Sequence, residues 1–185
     1  MKYYTGIGSR ETPISVLEAM YSIAQHLYKN EWTLRSGGAP GADQAFEWGV
    51  ADEYEEDNGW PCHEIYLPWP TFQQNQRSWL MPKRTKPQDE AYEIAAQYHP
   101  AWNYLKPWGK TLHARNVHQA LGYDVTNPEP SEFIVCWTKG AKGEGGTGQA
   151  LRIAKAYNIK IYDLADEEQA KELVVKLDGS FVLIS

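Results

Sequence analysis

Short apolar runs alternate along the chain with longer stretches whose apolar residues recur every three or four positions. Residues 3–7 read as a buried strand that leads into Gly6-Ile7-Gly8-Ser9-Arg10. The next segment places Val16, Leu17, Met20, Ile23, Ala24 and Leu27 on one helical face, with Thr12 as the expected cap and Pro13 as the first helical residue. Strands are expected at 32–35, 64–67, 133–137 and 159–162, with a short last strand at 181–184. Helical spacing marks 42–51, 90–98, 112–121 with Gly122 as its stop, a segment ending at Tyr157, and 167–177.

The pattern fails over 68–87, where Pro68, Pro70, Pro82 and Pro87 are separated by aromatic and basic residues. With the segment up to about position 110, this reads as an aromatic- and proline-rich insertion. Strands alternating with helices predict an α/β fold. The expectation is a single Rossmann-like domain over residues 1–185, with a mainly parallel sheet flanked by helices. No internal repeat and no low-complexity tract interrupts it.

Glycine-rich turns sit where strands should end. The first is Ser36-Gly37-Gly38-Ala39-Pro40-Gly41-Ala42-Asp43, and the second is Gly143-Glu144-Gly145-Gly146-Thr147-Gly148. Glycine lets the backbone approach a ligand closely, and a helix that opens at such a turn offers unpaired N–H groups to an anion. The turn at Gly8-Ser9-Arg10 lies at a third strand end, so the three turns converge if the strands are parallel. The expected ligand is a small nucleotide or a nucleotide derivative, held through phosphate. The candidate contacts are Gly8, Ser9, Arg10, Ser36, Gly37, Gly38, Gly41, Asp43, Arg115, Asn116, Gly145, Gly146, Thr147 and Gly148.

Several of these residues admit a plainer reading. Ser9 and Thr147 are either helix caps or caps that also touch phosphate. Arg10 is either a solvated arginine or a phosphate clamp. Asp43 is either a first-turn acid favoured by the helix dipole or a partner for a ribose hydroxyl. Arg115, Asn116 and Gln119 share one side of a helix, which faces either solvent or the site. Glu144 is either a loop acid or a general base. It and Asp43 are the candidate catalytic carboxylates should a bond be cleaved.

The net charge of −6 disfavours global attraction to nucleic acid but leaves room for a local patch. Lys83, Arg84 and Lys86 form the densest one, and Arg10, Arg35, Arg115 and Lys139 are scattered. The chain has 8 tryptophans and 12 tyrosines, more rings than one core needs, so some should line a groove or an interface, and a homodimer is expected. Trp69, Phe72, Trp79 and Trp102 either stack on a base or pack over the sheet edge. Cys62 and Cys136 read as reduced, buried thiols. His63, His99 and the other histidines have no metal-ligand spacing with them, so no metal and no cofactor are expected. Without a leader or a span-length apolar run, the expectation is a cytoplasmic protein with no membrane partner.

The three glycine motifs together resemble the SLOG superfamily of Rossmann-like proteins, which includes DprA-like DNA-processing proteins and LOG phosphoribohydrolases. His99-Pro100-Ala101-Trp102 and Leu112-His113-Ala114-Arg115-Asn116 look most like the small DprA-like and YspA-like proteins common in phages. The resemblance implies two functions. One is nucleotide sensing, sequestration or N-glycosidic hydrolysis in the glycine-lined pocket. The other is binding of single-stranded DNA in DNA processing or recombination. It also points Arg115 and Asn116 inward. LOG enzymes carry a catalytic glutamate after their glycine motif, whereas Gly148 here is followed by Gln149, Ala150 and Leu151.

Overall fold

The computed structural model describes residues 1–57, 62–72 and 82–178. Among the described residues, six parallel strands form one sheet: β1 (Lys2–Gly6), β2 (Trp32–Ser36), β3 (His63–Tyr66), β4 (Pro82–Arg84), β5 (Phe133–Cys136) and β6 (Lys160–Asp163). Their order across the sheet is β4-β3-β2-β1-β5-β6. The chain winds outward from β1 to β4 and then crosses back to lay β5 on the other side of β1. The α-helices among the described residues are α1 (Ile14–Lys29), α2 (Ala42–Asp57), α3 (Asp89–Tyr98), α4 (Pro107–Leu121), α5 (Gly145–Ala156) and α6 (Glu167–Lys176).

Alternation along the strands divides the core into two layers. Tyr4, Leu34, Phe133, Val135 and Tyr162 point to one face and pack with Met20, Ile23 and Leu27 of α1, Phe46 and Val50 of α2, and Leu173 of α6. Ile134 and Cys136 point to the other face, against Ala91 and Ala95 of α3, Val117 and Leu121 of α4, and Ile153 of α5. This is the expected α/β architecture, with every strand pairing parallel.

Four local expectations are corrected. Thr12 does not cap α1: its hydroxyl donates to the Ser9 carbonyl at 2.6 Å, and Pro13 stands before the first helical residue. Pro13 takes the cap position instead, and it has no side-chain oxygen to accept from the first N–H groups of α1. α4 begins at Pro107 rather than at 112, because Pro107 suits a helix start and Lys106 precedes it in extended backbone. The stretch read as patternless contains β4, a three-residue edge strand that starts on proline. Such a strand is too short for alternation to show. Arg35 is no surface cation: it is 1% exposed and donates to Glu64 at 2.9 Å. Trp79 and the strand expected at 181–184 lie outside the described residues.

Candidate functional site: a crevice where the sheet changes direction

β1 and β5 are neighbours, and the chain leaves them toward opposite edges of the sheet. The loops that follow such a pair diverge and leave a crevice beyond the carboxyl ends of the strands. A cavity of about 330 Å³ occupies this place. Its wall comes from the β1 exit (Gly8, Ser9, Arg10), the β2–α2 turn, α4, and the first turn of α5.

Backbone bonds tie the first of these walls to β5. The N–H groups of Ile7 and Ser9 donate to Val135 and Trp137 carbonyls at 3.2 and 3.1 Å. The second glycine turn is propped from β6. Asp163 accepts from the Thr138 N–H at 3.0 Å and from its hydroxyl, and the same hydroxyl accepts from the Gly143 N–H at 3.0 Å. α5 then opens with no side-chain cap, and its first bond at this end runs from the Gly148 N–H to the Glu144 carbonyl at 3.2 Å. The N–H groups of Gly145, Gly146 and Thr147 precede that bond, at the end of the helix where the dipole favours an anion. A Cβ on Gly148 would stand 1.9 Å from the Gly143 carbonyl oxygen, so this glycine serves turn packing.

The first glycine turn is built differently. Its N–H groups are used by carboxylates of α2: Gly37 and Ala39 donate to Asp43 at 3.2 and 3.3 Å, and Gly38 donates to Glu47 at 2.9 Å. Both acids are buried, at 4% and 1% exposure. A carboxylate of the protein therefore takes the donors that a phosphate would have used. Ser36, Gly37, Gly38, Gly41 and Gly148 lie off the cavity wall, whereas Ala39, Pro40 and Asp43 are on it.

α4 bridges the two turns. Arg115 donates to the Gly37 carbonyl through Nη1 and to the Asn116 side-chain oxygen at 3.1 Å through Nε. Asn116 in turn donates to the Gly146 carbonyl at 3.2 Å and to Gln149 at 3.3 Å. Both side chains face inward and are buried, and both touch the cavity. The Arg115 guanidinium also stands 4.0 Å from the Asp43 carboxylate, so its charge is balanced within the protein.

The sequence puts Gln119 on the same helical side as Arg115 and Asn116, without deciding between solvent and site. In the structure it lines the cavity, is 2% exposed, and its Nε2 has no hydrogen-bond partner among the described residues. A buried amide donor left unpaired costs on the order of 1–3 kcal/mol. A ligand acceptor would remove that cost. His113 also faces the cavity, with its ring 4.2 Å from that of His99. Burial, with a smaller effect from His99, pushes His113 down to about 4, so it is neutral near pH 7. Spacing alone marks both residues as helical, and no sequence signal separates a ligand-facing amide from a solvated one.

Glu144 and Arg10 both line the cavity and are exposed. Of the aromatic insertion, Phe72 reaches the cavity wall, 5.2 Å from Trp69 in an edge-on pair. Trp102 packs against the second core layer instead. The basic cluster at 83–86 is partly engaged: Lys83 lies 3.5 Å from Glu64, and Arg84 stacks 4.0 Å from the Tyr123 ring.

No protein-family model and no curated protein sequence matches this chain. Among solved structures, it is similar to DNA processing protein A from Helicobacter pylori, described for its single-stranded DNA binding mode. The similarity has a TM-score of 0.54 at 18% identity and covers 95% of this chain and 72% of that one. The chain therefore has a DprA-like fold, a single Rossmann-like α/β layer structure whose crevice lies between β1 and β5.

Proposed function

We propose that this protein binds single-stranded DNA, with one nucleotide unit of the strand seated in the crevice between β1 and β5. The observation that carries this reading is the pairing of two unmet donors at one cavity: the uncapped start of α5 and the buried Gln119 amide. The first suits a phosphate and the second a base or sugar acceptor. The fold it shares with a single-stranded DNA-binding protein supports the same reading.

A second reading, a free nucleotide held for sensing or sequestration, is favoured by cavity size. About 330 Å³ lies at the lower end of small-molecule pockets and has room for one nucleotide. In that role Arg10 holds the phosphate and Asp43 the ribose. Glu144 is then the exposed carboxylate of the cavity wall that would assist any cleavage of the glycosidic bond. A homodimer, and membership of the SLOG superfamily beside phage-type relatives, remain part of the proposal.

Salt separates the two readings. Single-stranded binding that engages several phosphates loses affinity with a log–log slope of roughly −0.7 per phosphate neutralised. We expect a short oligothymidylate to bind with a slope of about −1.4 or steeper, corresponding to two or more phosphates. An equal slope and equal affinity for thymidine monophosphate would favour the free-nucleotide reading. No binding of either probe would remove both.

A further inference from the structure

The first turn of α4 projects past the cavity and carries an aromatic side chain that the core does not use. Trp108 is 59% exposed, and Tyr104, just before the helix, is 91% exposed. On α4, Trp108, Leu112, Arg115 and Gln119 follow one another at spacings of four, three and four, which is a single helical stripe. The last three of them line the cavity. Trp108 therefore stands one turn, about 5–6 Å, beyond the cavity wall on the same side of the helix.

The stretch of sequence around it is unusual for this chain. Its net charge is −6, yet no Asp or Glu occurs anywhere from position 94 to 123. That stretch contains Lys106, Lys110 and Arg115. Arg115 is turned inward, while Lys106 is exposed and Lys110 lies 5.4 Å from the Trp102 ring. The backbone is held in place: Pro107 starts the helix, and Leu105 packs within 3.8 Å of the Gly109 side-chain position. An exposed ring on a fixed scaffold, in a stretch of chain that carries lysines and no acid, matches the chemistry of a base-stacking platform.

We propose that Trp108 stacks on the base of the nucleotide next to the one in the crevice, with Lys106 facing the intervening phosphate. The inference rests on the nucleotide reading of the crevice, and it names the surface along which a single strand leaves it. Stacking is sequence-tolerant because every base has a π-face, so the platform favours strands over free nucleotides without choosing a sequence.

The test compares two probes on two variants. Trp108→Ala should weaken binding of a short oligothymidylate roughly tenfold, within the range for loss of one stacked base. Thymidine monophosphate should bind it as it binds the wild type. Trp108→Phe should retain most of the oligonucleotide affinity and lose part of the tryptophan quenching that the strand causes. The exposed position makes both variants compatible with the fold. Unchanged oligonucleotide affinity in Trp108→Ala would overturn the platform while leaving the crevice intact. So would a wild type that binds the oligonucleotide no more tightly than the monophosphate. A wild type that binds neither probe would remove the crevice reading and the platform with it.

Discussion

His118 shows how a single side chain is held to one protonation state. It is fully buried, and its Nε2 accepts from the Gln88 N–H at 3.0 Å. Its Nδ1 faces the Gly122 carbonyl at 2.9 Å, so the proton sits on Nδ1 and the lone pair on Nε2. A second proton would point at the Gln88 N–H. Burial pushes the ring down from its ordinary 6.5 to about 4, with the Arg84 charge acting in the same direction. The unfolded chain therefore binds a proton at a higher pH than the folded one. Stability is complete above about 6.5, falls as pH drops toward 4, and changes no further from this residue below that. His113 acts in the same direction. Denaturant midpoints near pH 7 and near pH 4.5 should show the loss, and His118→Gln should shrink the difference between them. An undiminished difference in the variant would assign the acid sensitivity elsewhere.

At the scale of elements, the two glycine turns look alike in sequence and differ in what they can hold. The turn after β2 is closed from within: Asp43 and Glu47 take its N–H groups and Arg115 takes its carbonyl. The turn before α5 is open, since its helix has no side-chain cap. Added side chains should report this difference. A Cβ on Gly37 would meet the Arg115 guanidinium at 2.0 Å and the Gln119 amide at 2.6 Å. Gly37→Ala should therefore destabilise the protein by about 1–3 kcal/mol, as overpacked sites do. A Cβ on Gly146 meets nothing within 4 Å. Gly146→Val should unfold within about 1 kcal/mol of the wild type and yet bind nucleotide more weakly, because a branched side chain on this wall residue hinders close approach of a ligand to the backbone. If the folded valine variant kept full affinity, the α5 turn would not be where the ligand sits.

At the scale of the whole molecule, charge and apolar surface are unevenly distributed. The acid-free stretch borders the crevice, while Ile14 at the start of α1, and Trp48 and Tyr54 of α2, are exposed at 76%, 47% and 38%. α2 packs on the sheet face opposite α4, so a dimer joined through α2 would leave the crevice open. We expect light scattering to give twice the chain mass at micromolar concentration and Trp48→Glu to reduce it. A monomer mass over a wide concentration range would rule the dimer out. Among the described residues, no helix is long and apolar enough to cross a membrane.

The order of elements was legible in the sequence because it depends on local periodicity. Met20, Ile23, Ala24 and Leu27 announce one buried helical face, and Phe133 to Cys136 announces a doubly covered strand. The convergence of the loops on one crevice followed from the same alternation, since parallel strands put their exits at one end. The partners of the polar residues were not legible. Whether Gly37 offers its N–H to a ligand depends on Asp43, and whether Arg115 is a free cation depends on the Gly37 carbonyl, 78 positions away along the chain. Arg35 looked like a surface charge until Glu64 and the Glu129 carbonyl closed on it. Periodicity says which side of an element is buried. Only the packing of distant elements decides which buried donors find a partner and which, like the Gln119 amide, remain open toward the cavity.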